Sequence, residues 1–246
     1  MQKIRCFSLF TLITASIIGL LPIKVAQSTS DQLEQQSPVI AQSNSSQFSD
    51  IKGNVYKPEI EAAVNLGIIS GFPDGTFRPN ERVTREQAVS MITDALNAIS
   101  PIDFDARPTS RVRPFLDVQP DRWSYSKITW AQWNIAPEGT PTGKFRPEDD
   151  ITRANLVAFL RESAEFLQIK LGGSSFLEAT QEPIKFTDVS GFNQQLALQM
   201  SAYCQVASPL NETGTKFAPN AAAKRDYTVA AIMRMLNCVK ESRERS

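Results

Sequence analysis

The sequence predicts an all-α protein: three copies of one helix–loop–helix unit, with their second helices gathered into a central three-helix bundle. Two observations carry this. Three short landmarks recur in one register along the 246 residues, and each recurrence encloses two apolar stripes of helical spacing. Phe48-Ser49-Asp50-Ile51 returns as Phe115-Leu116-Asp117-Val118 and Phe186-Thr187-Asp188-Val189, at intervals of 67 and 71 residues. Phe77-Arg78-Pro79 returns as Phe145-Arg146-Pro147 and Phe217-Ala218-Pro219, at 68 and 72. Thr84-Arg85-Glu86 returns as Thr152-Arg153-Ala154 and Lys224-Arg225-Asp226, again at 68 and 72. One register held three times is an internal triplication, with copies at 48–99, 115–170 and, most degenerate, 186–240.

Each element follows from local pattern. The first helix comes after the F-x-D landmark. Its stripe is Ile60, Ala63, Val64 and Leu66 in copy one, and Ile128, Ala131 and Trp133 in copy two; copy three gives Leu196, Met200, Tyr203 and Cys204. A loop of about ten residues loaded with Gly, Pro and Asp follows. The second helix begins just before the repeated arginine. In copy one Thr84 stands three residues before Gln87, the form of a capping box. The second stripes are Ala88, Ile92, Ala95 and Leu96, then Leu156, Leu160, Ala164 and Leu167, then Val229, Ile232, Met233 and Leu236. Two short helices cannot bury both apolar faces alone, whereas three copies sharing their second helices can. Long connections at 100–114 and 171–185 run over the surface.

The N-terminus carries an export pattern. Lys3 and Arg5 precede an uncharged, largely apolar run from Cys6 to Ile23. A bilayer span needs about 20 apolar residues, so this run reads as a secretory signal peptide, with a retained membrane anchor as the alternative. A small-x-small site at Ala26-Gln27-Ser28 gives a signal peptide of 1–28, and Val39-Ile40-Ala41 allows cleavage as late as 41. Residues 29–47, rich in Ser and Gln without periodicity, read as a disordered tether. After cleavage no transmembrane span is expected, and the protein is expected in the periplasm or at the cell surface.

Composition excludes much chemistry. Apolar residues at 41% and charged residues at 21% are those of a globular protein. Basic and acidic groups balance at 26 each, and removing Lys3, Arg5 and Lys24 leaves 23 against 26, so no nucleic acid partner is expected. Histidine is absent, which rules out Ser-His-Asp and Cys-His nucleophiles, HExxH and Cys2His2 sites. Asp74-Gly75-Thr76 lacks the acidic array of a calcium loop. No enzyme activity, cofactor or metal is expected. Export makes Cys204 and Cys238 candidates for a disulfide; otherwise they are two small buried apolar groups.

The combination F-x-D-[IV], GIISGFPDGTFRPN at 67–80 and [IV]-T-R-[EA] resembles the S-layer homology module, over residues 48–240. The resemblance implies a pseudo-threefold module that holds exported proteins non-covalently on cell-wall polysaccharide or peptidoglycan-linked glycan, often bearing acidic pyruvyl-ketal sugars. It implies sugar-receiving grooves between repeats, with the arginine of the T-R-A-E motif as a main contact. That role falls here on Arg85, Arg153 and Arg225. The physical reading agrees. A helix N-terminus favours an anion, and an arginine in the first turn adds a planar fork matched to a carboxylate. Thr84 and Thr152 precede two of the arginines, Gly71, Asp74 and Gly75 stiffen the loop wall, and Tyr56 and Trp123 are placed to stack on a sugar.

Each assignment has a structural alternative. The arginines either meet ligand or pair with Asp50, Asp117 and Asp188 as structural ion pairs. The aspartates are more at home capping a turn or the first helix than touching ligand. Phe77, Phe145, Phe217, Trp130 and Trp133 read as core. Copy two replaces the usual glycine by Asn134; copy three has Lys224 for threonine, Ala218 for the loop arginine, Gln205-Val206 for Gly-Ile and Gln194 where an aromatic stands. A groove depending on copy three is therefore expected to be weakened. The alternative function is an envelope scaffold or adaptor that docks another envelope protein, its sugar grooves decayed.

Overall fold

In the computed structural model of the chain, residues 48–106, 115–135 and 143–244 are described; the expected signal peptide and tether lie outside them. The described residues hold six α-helices and no sheet: α1 Lys57–Asn65, α2 Arg85–Ile99, α3 Tyr125–Asn134, α4 Arg153–Lys170, α5 Gly191–Ala202 and α6 Arg225–Glu244. A short 3-10 turn occupies Leu210–Glu212.

The second helices begin on the repeated arginine because the residue before it ends the extended chain. Thr84 caps α2: its hydroxyl accepts from the Gln87 N–H, and the Gln87 side chain accepts from the Thr84 N–H. Thr152 caps α4 through the Asn155 N–H at 3.2 Å. Each such cap contributes about 1 kcal/mol. The second stripes are wholly buried, with Ala88, Ile92, Ala95, Leu96, Leu156, Leu160, Ala164 and Leu236 all at zero exposure. These stripes face one another, since α2, α4 and α6 pack pairwise.

The first helices are short, nine to twelve residues, too short to stand alone. Each finds its partner in the preceding copy: α3 packs on α2, α5 on α4 and α1 on α6. Leu66 departs from the predicted stripe. It lies one residue past the end of α1, where the turn points it outward, and is 43% exposed.

The chain between loop and second helix ties the copies into a ring. The Val83 N–H donates to the Ala223 carbonyl, the Ala223 N–H to Ile151 and the Ile151 N–H to Val83, at 2.8–3.1 Å. The three residues are buried. Isolated bridges Arg82–Lys224, Thr84–Asp150 and Thr152–Ala222 flank this closed cycle.

The first two landmarks pin each loop. Asp50 accepts from the N–H groups of Phe77 and Arg78, Asp117 from Phe145 and Arg146, and Asp188 from Phe217 and Ala218, all at 2.7–2.8 Å. The aspartates therefore hold a loop within their own copy; they neither cap the first helix nor pair with the repeated arginines. The second residue of each pair is left-handed, with φ +58° at Arg78, +60° at Arg146 and +56° at Ala218. Such a conformation is costly for a side-chain-bearing residue, and the two charge-assisted bonds offset the cost. Above each clamp the two landmark phenylalanines pack ring on ring: Phe48 with Phe77, Phe115 with Phe145 and Phe186 with Phe217, at 5.2–5.6 Å. Cys204 and Cys238 are disulfide-bonded, joining the turn after α5 to the middle of α6.

Candidate functional site

The three repeated arginines all reach across a copy boundary. The Nε–H of Arg85 donates to the Phe145 carbonyl at 2.7 Å, that of Arg153 to Phe217 at 2.7 Å and that of Arg225 to Phe77 at 2.9 Å. Copy one thus holds the loop of copy two, copy two that of copy three, and copy three that of copy one. Backbone bonds reinforce each junction: the N–H of Arg85 donates to Asp149, of Arg153 to Ala221 and of Arg225 to Glu81. The first N–H of each second helix is consequently spent on protein.

Solvent access separates the three. Arg85 and Arg153 are 6% and 3% exposed. Arg153 gives a second bond to the Ser208 carbonyl at 2.7 Å, and its guanidinium lies 3.6 Å from the Tyr227 ring centroid. Arg225 is half-buried. It donates to the Phe77 and Ser70 carbonyls and lies against the rings of Phe72 and Phe77. Among the described residues no carboxylate lies within ion-pair distance of it. Burial, helped by the neighbouring Arg78, lowers its pKa, with Glu81 pulling the other way. Arg78 covers Phe72 at 3.7 Å, so two guanidiniums contact one ring. The degenerate third copy therefore supplies the accessible arginine, and sequence divergence gave the opposite ranking.

The wall facing Arg225 comes from copy one. Asp74 accepts from both the N–H and the hydroxyl of Thr76 and from Arg78, contacts that lower its pKa. Gly75 adopts φ +75°, and its carbonyl accepts from the Ser49 N–H. Gly71 is required by close approach: a Cβ there would sit 2.0 Å from the Phe48 ring. Asp74 and Gly75 build the turn, and Gly71 lets the loop lie on Phe48. Sequence reasoning missed Ser70, Phe72 and Arg78 as parts of this site; all three lie within or beside the GFPDGTFRP run.

The two aromatic candidates are not equivalent. Tyr56 is the N-cap residue of α1, but the N-cap of α3 is Ser124, so Trp123 corresponds in space to Val55. Copy two spends one residue more between its aspartate and its first helix. Tyr56 is buried, edge-on to Tyr227, and its hydroxyl donates to Glu212 at 2.8 Å. Burial and the Glu212 carboxylate push the phenol upward. Trp123 is 63% exposed. The stacking reading for Tyr56 fails on access; Trp123 has the access.

Beside Trp123 lies an ionic clasp. Arg122 forks onto Glu86 at 2.7 and 2.9 Å and also reaches Glu148, while the buried Ser124 hydroxyl donates to Glu86 at 2.6 Å. Burial alone would raise the Glu86 carboxyl, but Arg122 and Ser124 outweigh it and hold the pKa low. Copy two has Ala154 at that register and copy three has Asp226, which accepts from Asn54 at 2.9 Å. Among the described residues there is no cluster of three or more metal-ligating side chains, and no helix is long and apolar enough to cross a membrane.

The profile of the S-layer homology domain matches residues 47–89. An endoglucanase of Bacillus sp. (strain KSM-635) is 27% identical over 197 residues, 80% of this chain and 19% of its own length. The S-layer protein EA1 of Bacillus anthracis is 33% identical over 138 residues, 56% of this chain and 15% of its own. A cellulosome-anchoring protein of Acetivibrio thermocellus is 28% identical over 169 residues, 68% of this chain and 35% of its own. The match thus spans about a third or less of each relative's length. The first copy lies under that profile, and its landmarks return twice more along the chain.

Proposed function

We propose that the protein is an exported, non-catalytic anchor that binds cell-wall polysaccharide non-covalently, and that its working groove is the one at Arg225. One observation carries the choice of groove: Arg225 alone of the three arginines is half-exposed, and it lies against the rings of Phe72 and Phe77. An acidic sugar, such as one bearing a pyruvyl ketal, complements it: the guanidinium fork takes a carboxylate and Arg78 adds charge beside it. Trp123 offers a second, independent stacking surface at the junction of copies one and two. The relatives named for S-layers and cellulosome anchoring support the anchoring role. Co-sedimentation with protein-free cell wall tests it: wild type pellets with the wall, and Arg225→Ala stays in solution. Wild type remaining soluble rejects the reading.

Burial of Arg85 and Arg153 favours a second reading, in which the module is a scaffold for another envelope protein and two of its grooves have become packing. Wall binding unchanged in Arg225→Ala, with a protein partner required for retention, selects that reading.

A further inference from the structure

We propose that the centre of the ring holds a second binding site, separate from the Arg225 groove, for a small saccharide unit bearing a carboxylate. The buried hydrogen-bonded cycle of Val83, Ile151 and Ala223 closes the ring, and their chain neighbours Arg82, Asp150, Thr152, Ala222 and Lys224 line one space beside it. That space is a cavity of about 580 Å³, within the range of about 300–1,000 Å³ typical of small-molecule sites. Its existence comes from divergence between the copies. Positions 82, 150 and 222 share one register, and hold arginine, aspartate and alanine. Arg82 and Asp150 reach each other at 3.1 Å, while Ala222 contributes only a methyl. The space that a third long side chain would fill is left open.

The lining suits a hydroxylated acid. Lys224 donates one ammonium N–H to the Asn80 carbonyl oxygen at 2.9 Å, which leaves two for a ligand. Asn220 and Thr152 line the same cavity. Arg82 and Lys224 against Asp150 leave one positive charge in excess, matched to one carboxylate. Amide and hydroxyl groups supply donors and acceptors for neighbouring sugar hydroxyls. Neither the arginine of the Arg225 groove nor its aromatic wall takes part.

Amide NMR spectra of the protein, titrated with glucuronate, glucose or acetate, test the site. Glucuronate is expected to move the resonances of Asn80, Asn220 and Lys224 saturably, with glucose and acetate each at least tenfold weaker. The same shifts are expected in Arg225→Ala, so failure of the wall-binding reading leaves this one intact. Ala222→Arg fills the cavity and is expected to abolish them. Should that variant not fold, Lys224→Met, which keeps the backbone bridge to Arg82, is expected to weaken binding at least tenfold. No movement with glucuronate, equal movement with acetate, or shifts unchanged in the cavity variants overturns the proposal.

Discussion

The Nε–H of Arg225 donates to the main-chain carbonyl of Phe77, 148 residues earlier, at 2.9 Å. The last copy thereby grips the first, and the same side chain carries the accessible positive charge. Arg225→Ala loses two hydrogen bonds to carbonyls on a partly solvated surface, an expected stability cost of about 1–2 kcal/mol. Retention on cell wall is expected to fall at least tenfold. Arg225→Lys keeps charge without the fork and is expected to recover only part of it. Urea denaturation and wall co-sedimentation, run side by side, separate the two effects.

Arg153 has the complementary profile. Its guanidinium is buried, bonded to the Phe217 and Ser208 carbonyls and packed on Tyr227. Arg153→Met strands both carbonyls in a dry junction, so a loss of about 2–4 kcal/mol is expected. Wall binding by the fraction that remains folded is expected to be unchanged. A variant as stable as wild type contradicts the structural role.

Gly71→Ala places a methyl 2.0 Å from the Phe48 ring. That ring is packed on Phe77, which in turn is fully buried, so the ring has no room to retreat. A loss of about 1–3 kcal/mol is expected, read as a lower thermal midpoint. Relief by Phe48→Leu would identify the clash as the cause.

Glu86 gives a pH test. Its folded pKa lies below the ordinary 4.5 because Arg122 and Ser124 bind the carboxylate. A depressed folded pKa contributes stability that is fully present above the unfolded value and lost as pH falls through the folded one. The stability advantage of wild type over Glu86→Gln is therefore expected to be flat above about pH 5 and to shrink below pH 4. A gap that stays constant down to pH 3 rejects the clasp.

The Cys204–Cys238 bond closes a separation of 34 residues. Loop entropy at that length is worth about 4 kcal/mol. Cys238→Ser, or the wild type with dithiothreitol, is expected to unfold at correspondingly lower denaturant.

The recurring landmarks, two helices per copy and the cap at Thr84 were legible in the sequence alone. Those features rest on local information: period, capping residues, and turn formers at fixed offsets. It also named the three arginines, because the landmark recurs. Tertiary structure decided what each arginine does. Whether a guanidinium is open to solvent depends on what the next copy's loop lays over it, and residues such as Ser208 and Tyr227 lie 55 and 74 positions beyond Arg153. The same holds for Tyr56 and Trp123, which match in sequence offset but not in space, since one extra residue before α3 turns the aromatic outward. The swap of first helices onto the preceding copy was equally illegible. An apolar stripe records that a face must be buried, not against which of three near-identical partners, and only the closed ring of contacts settles that choice.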